Sequence, residues 1–79
     1  MTQESSGKSS VTSYEALRVA HLDAERAYRD LSVYHAIVSL QSDGWHVDYQ
    51  PSDPNSNAGG PHYVIDAGNG QIKSKRYEQ

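Results

Sequence analysis

Gly59-Gly60-Pro61-His62-Tyr63-Val64-Ile65-Asp66-Ala67-Gly68-Asn69-Gly70-Gln71-Ile72 reads as a strand, a tight turn and the start of a second strand. Tyr63, Val64 and Ile65 join an aromatic to β-branched side chains, which suit a pleated, half-buried surface. Asn69-Gly70 supplies the residue types that accept the positive φ angles of a hairpin turn, and Ile72 restores an apolar position directly beyond it. The expected strands are His62 to Asp66 and Gln71 to Tyr77, with Ala67-Gly68-Asn69-Gly70 between them. Such a stretch specifies architecture rather than catalysis.

Working outward toward the N-terminus, Pro51 to Pro61 holds all three prolines of the chain and forms a connection of about eleven residues, too long for a minimal hairpin. Before it, Trp45-His46-Val47-Asp48-Tyr49-Gln50 alternates apolar and polar residues with the period of a strand. Trp45, Val47 and Tyr49 are expected on the covered side, and His46, Asp48 and Gln50 on the other. Ser42-Asp43-Gly44 signals a turn, and Val33-Tyr34-His35-Ala36-Ile37-Val38-Ser39-Leu40 has the β-branched bias of a first strand. From Tyr14 to about Asp30, Leu17, Ala20, Ala24, Ala27, Tyr28 and Leu31 recur at helical spacing, with Arg18, Asp23, Glu25, Arg26 and Arg29 mostly on the other side. Thr12-Ser13-Tyr14-Glu15 fits a capping box at the start of that helix. The alanines let the helix axis lie close to a sheet. The expectation is an α+β domain over residues 13–79, one N-terminal helix packed on a three- to four-stranded antiparallel β-meander, preceded by a disordered polar arm over residues 1–12.

Composition narrows the function. Seven basic against ten acidic residues give a net charge of -3, without the basic excess that phosphate-backbone binding needs, so nucleic acid is not an expected partner. No window approaches the roughly 20 apolar residues of a membrane span, and the N-terminus carries no apolar signal-peptide core. The chain reads as soluble, cytoplasmic or, if a signal has been removed, periplasmic. With no cysteine, neither disulfides nor thiolate zinc sites are available. A domain of roughly 65 residues buries only about 60% of its unfolded surface, so a partner would add appreciably to its stability.

The strand Gly44-Trp45-His46-Val47-Asp48-Tyr49, the segment Tyr63-Val64-Ile65-Asp66-Ala67-x-x-Gly70-x-Ile72 and the closing Lys75-Arg76-Tyr77 resemble the small PepSY-like domains. They are also similar to the short bacterial immunity proteins of the nuclear-transport-factor-2 fold. The resemblance covers about Glu15 to Gln79 and implies a non-catalytic binding module, one that inhibits a peptidase, senses a ligand or blocks a toxin. Neither group brings a catalytic motif to carry over.

Four histidines are many for a short chain, and His46 and His62, with Asp48 and Asp66 nearby, suggest a nitrogen and oxygen metal site as one alternative. Their spacing matches no compact ligand motif, and solvent-facing histidines are the simpler reading. No cofactor is expected. Serines cluster in the arm and the loop, where nothing would hold a nucleophile in place, so an enzyme is not expected. Lys73, Lys75 and Arg76 suit the protection of an exposed strand edge. Six tyrosines and one tryptophan without phenylalanine suit both a thin core and an interface; Tyr34 and Tyr77 stay unassigned.

These readings converge on a non-enzymatic protein-interaction module whose partner, a peptidase or toxin, sits on the sheet face away from the helix or on a free edge. The candidate residues of that face are His46, Asp48, Gln50, His62, Asp66 and Lys73. A structural homodimer, and a small metal- or ligand-binding protein using His46 and His62, are the competing readings.

Overall fold

The computed structural model describes residues 10–56 and 59–77. One helix, α1 (Ser13–Ala27), is followed by four strands, β1 (Tyr34–Gln41), β2 (Gly44–Pro51), β3 (His62–Ile65) and β4 (Ile72–Arg76). The strands form one antiparallel sheet in the order β1-β2-β3-β4, and α1 lies across one of its faces. The expected meander is therefore present with all its strands.

Helix α1 starts where its cap dictates. Thr12 is extended, its hydroxyl accepts from the Glu15 amide at 3.1 Å, and the Glu15 carboxylate accepts from the Thr12 amide at 2.8 Å. The pair satisfies two amides that the first helical turn would otherwise leave without partners. The helix ends three residues earlier than its apolar periodicity suggested. Tyr28 leaves the helical conformation, and Asp30 draws the Ser32 amide and hydroxyl to its carboxylate at 2.9 and 2.6 Å. A side chain that binds local backbone groups in this way competes with helix continuation.

The buried stripe is Ala16, Ala20 and Ala24, each with no exposed surface, flanked by Leu17 and Val19. Ala27, expected in the stripe, is exposed, and Leu31 lies beyond the helix end. Under the stripe sit Val47, Tyr49, Tyr63 and Ile65 from the two central strands, with Trp45, Ile72 and Val38 around them. Small side chains above and large ones below give a close helix-to-sheet contact. Of the arm expected over residues 1–12, residues 1–9 fall outside the described residues, but Val11 belongs to the core. It is buried, its amide donates to the Ala67 carbonyl at 3.0 Å, and its carbonyl accepts from the Trp45 indole at 2.7 Å.

Two glycines fix the turns. Gly44 closes the two-residue β1–β2 hairpin with φ +134°, and a side-chain carbon there would come 2.4 Å from the Ile65 carbonyl oxygen. The β3–β4 connection is wider than an Asn-Gly two-residue turn. Its ends meet where the Asp66 amide donates to the Gln71 carbonyl at 2.8 Å, and Gly70, with φ +76°, donates to the Asp66 carbonyl at 2.9 Å. Inside it, the Asp66 carboxylate accepts from the amides of Gly68 and Asn69 at 2.7 and 3.0 Å. β3 accordingly stops at Ile65, one residue short of expectation, because Asp66 has turned to organise the loop.

Candidate protein-binding face

The face of the sheet opposite α1 is built by cross-strand register. Ile37, Asp48, His62 and Arg76 form one row across all four strands, and Ser39, His46, Val64 and Ser74 form the next. Strand alternation puts these residues on this side because Val47, Tyr49, Tyr63 and Ile65 take the other. Together the rows line a shallow depression of about 570 Å³ with no helix over it among the described residues.

The histidines and carboxylates of the depression are paired within the protein. His62 Nδ1 meets Asp48 Oδ1 across the β2–β3 ladder, both side chains being roughly one-third exposed, at 28% and 35%. Gln50 donates from Nε2 to the other Asp48 oxygen at 3.0 Å. At the hairpin end, His46 Nε2 lies 2.6 Å from Asp43 Oδ1, and that hydrogen bond is the main cause holding the Asp43 carboxyl below its usual range. Lys73 reaches across to donate to the Asp43 carbonyl at 2.8 Å. It is the extra residue of a bulge, since Ile65 pairs with Ile72 while Val64 pairs with Ser74. Apolar surface is interleaved with these pairs: Ile37 is 45% exposed and Val64 is half-buried beside His46.

Of the residues expected on this face, His46, Asp48, Gln50 and His62 are brought together, and Lys73 borders them at the hairpin end. Asp66 is not brought to the group. Its carboxylate is folded into the β3–β4 turn, where the Gly68 and then the Asn69 amide lower its pKa. Ile37 and Asp43 belong to the face or its border without having been singled out, and Arg76, read as an edge-protecting charge, stands in the row of His62, since only the strand register places them there. His46 and His62 each have their own carboxylate, and among the described residues no group of three or more His, Cys, Asp or Glu side chains is placed to hold a metal ion.

A second polar cluster lies on the covered side. Asp23, read as part of the outer surface of the helix, is only 17% exposed and accepts from the hydroxyls of Tyr77 at 2.5 Å and Tyr63 at 2.9 Å and from Lys75 Nζ at 3.1 Å. The Tyr77 hydrogen bond is the largest cause lowering its pKa, outweighing the opposing effect of desolvation; Lys75 and Tyr63 add to it. Burial, reinforced by Asp23, pushes the Tyr63 hydroxyl up, and burial with the nearby Glu25 charge pushes Tyr49 up to about 12. Lys75 is therefore a tie between β4 and α1 as well as a charge near the sheet edge. Tyr77 packs edge-on against Tyr28, which packs edge-on against Tyr34, and Tyr34 donates to the Gly59 carbonyl at 3.2 Å. The two unassigned tyrosines thus brace the helix end and the long loop.

Fold and face together define a small α+β protein whose antiparallel sheet is packed by a helix on one side and, among the described residues, is open on the other. No protein-family model, curated protein or solved structure matches the chain. Among the described residues, no helix is long and apolar enough to cross a membrane.

Proposed function

We propose that this chain is a non-enzymatic protein-interaction module that holds a partner protein against the open sheet face. The observation that carries the reading is the face itself. Imidazole–carboxylate pairs alternate with exposed Ile37 and half-buried Val64 in rows across the strands, with no element over them among the described residues. Such a mixture suits recognition: the apolar side chains supply area, and the paired polar groups supply orientation at a wet rim. An inhibitory or immunity-type role, with a peptidase or toxin as the partner, follows from the resemblance to PepSY-like domains and small immunity proteins.

The test is affinity capture from lysate of the source organism, with wild-type protein beside a His46→Ala/Asp48→Ala variant whose fold is checked by circular dichroism. A protein enriched by the wild type and reduced at least about tenfold by the variant is the expected result, as for the loss of interface hot spots. Equal capture by both baits, or no enrichment at all, would remove the open face from consideration.

A further inference from the structure

The two edges of the sheet are built in opposite ways. β4 carries Lys73, Lys75 and Arg76 within five residues, whereas β1, Tyr34-His35-Ala36-Ile37-Val38-Ser39-Leu40-Gln41, has no acidic residue, lysine, arginine, proline or glycine. Natural sheets blunt free edges with charge, proline or bulges, and β1 has none of these along its eight residues. Among the described residues no strand lies beyond it.

The backbone groups available there can be assigned. Ser52 donates to the Val33 carbonyl, and antiparallel ladders alternate, so residues 35, 37, 39 and 41 turn their backbone groups toward β2. Ala36, Val38 and Leu40 turn theirs outward, while the Tyr34 amide is taken by the Leu31 carbonyl at 3.1 Å. A strand with this outward set pairs antiparallel with a copy of itself about a two-fold axis at Val38. Val38 then faces Val38 of the copy, and Ala36 faces Leu40 of the copy, each outward amide meeting an outward carbonyl.

Side chains fit the same register. Leu40 is 52% exposed on the helix side of β1. Beside Ala36, on that side, lies a largely apolar cleft of about 490 Å³ whose walls include Leu17, Leu31, Tyr34 and Tyr49, with Arg18 and His21 also lining it. Opposite Ala36, Leu40 of the copy is aimed at the mouth of this cleft, and the symmetric contact repeats across the axis. On the other side Ile37 faces Ser39, and His35 faces Gln41, so no acidic, lysine or arginine side chain opposes another within the paired strands. Pairing through β4 would instead bring its cationic side chains together.

We propose that a second copy of this chain pairs along the free edge of β1, in the antiparallel register centred on Val38, with Leu40 of each copy seated in the cleft of the other. The interface is isologous and extends the sheet through both copies. It leaves the open face uncovered and stands independently of the function proposed above. One strand pair with one leucine per side sits at the small end of specific interfaces, below about 1,200 Å² in total, so the dimer is concentration-dependent.

Sedimentation equilibrium of the wild type over a concentration series up to about 1 mM, a range that detects even weak association, tests it together with a cysteine at the symmetry axis. The chain has no cysteine, so Val38→Cys introduces the sole thiol. In a hydrogen-bonded antiparallel pair the facing Cα atoms are about 5.5 Å apart, within disulfide range. The expected results are a monomer–dimer equilibrium, a disulfide-linked dimer from Val38→Cys but not from Ser74→Cys, and at least about tenfold weaker association for Leu40→Lys, which places a charge against an apolar cleft. Leu40 is exposed, so that variant should keep its fold, and circular dichroism checks it. A wild type that stays monomeric across the series overturns the proposal. So does a dimer that Leu40→Lys leaves intact but His46→Ala/Asp48→Ala dissolves, because the interface would then be the open face.

Discussion

Asp23 shows how a single carboxylate ties the covered side of this molecule together. Its oxygens receive the hydroxyls of Tyr77 and Tyr63 and the ammonium of Lys75, joining α1 to β3, β4 and the residue that follows β4. Those contacts favour the ionised form and set its pKa below the ordinary 3.8. A carboxyl whose folded pKa is depressed contributes stability that is complete above the unfolded value and is lost as pH falls through the folded one. Asp23→Asn keeps the shape and removes the charge, so it should cost about 1–2 kcal/mol at neutral pH and progressively less at acidic pH, below the ordinary carboxyl value of 3.8. Urea unfolding at both pH values measures this, and a loss independent of pH would contradict the role given to the charge. Nothing in the local sequence marks Asp23. Its nearest neighbours in the pattern are helical, and its partners Lys75 and Tyr77 lie 52 and 54 residues away.

At the scale of elements, starts were more legible than ends. The capping pair Thr12 and Glu15 is local in sequence and local in space, so the helix start could be read directly. The helix end could not, because Asp30 and Ser32 break the helix by a side-chain bond that periodicity does not register. Trp45 to Gln50 was legible for a related reason: strict alternation converts sequence into faces, and Val47 and Tyr49 lie buried opposite His46 and Asp48 as the alternation requires. Asp66 and Lys73 were harder, because a turn and a bulge each interrupt the period of two. The helix-to-sheet contact yields its own prediction. Ala20 has no exposed surface and sits mid-stripe, so Ala20→Leu forces α1 away from Val47 and Tyr63 and should lower stability by about 1–3 kcal/mol. Chemical denaturation tests this, and an unchanged midpoint would mean that the helix is not held closely against the sheet.

At the scale of the whole molecule, α1 packs on one side of a four-stranded sheet, and among the described residues nothing packs on the other. The resulting core is thin, with alanines above and Val47, Tyr49, Tyr63 and Ile65 below. The open side holds His46, His62 and Gln50 against carboxylates while exposing Ile37, and this combination is the basis for reading it as a binding face. The sequence alternation identified its β2 residues and His62, but the rows that include Arg76 and Ser74 exist only through strand register. The most direct test is to place a photo-reactive side chain at Ser39 or Ser74 on the open face, or at Arg26 on the exposed side of the helix, and to irradiate each variant in the source cell. The account predicts covalent capture of one partner protein from Ser39 and Ser74 and not from Arg26. Capture from Arg26 alone, or from none of the three positions, would contradict it.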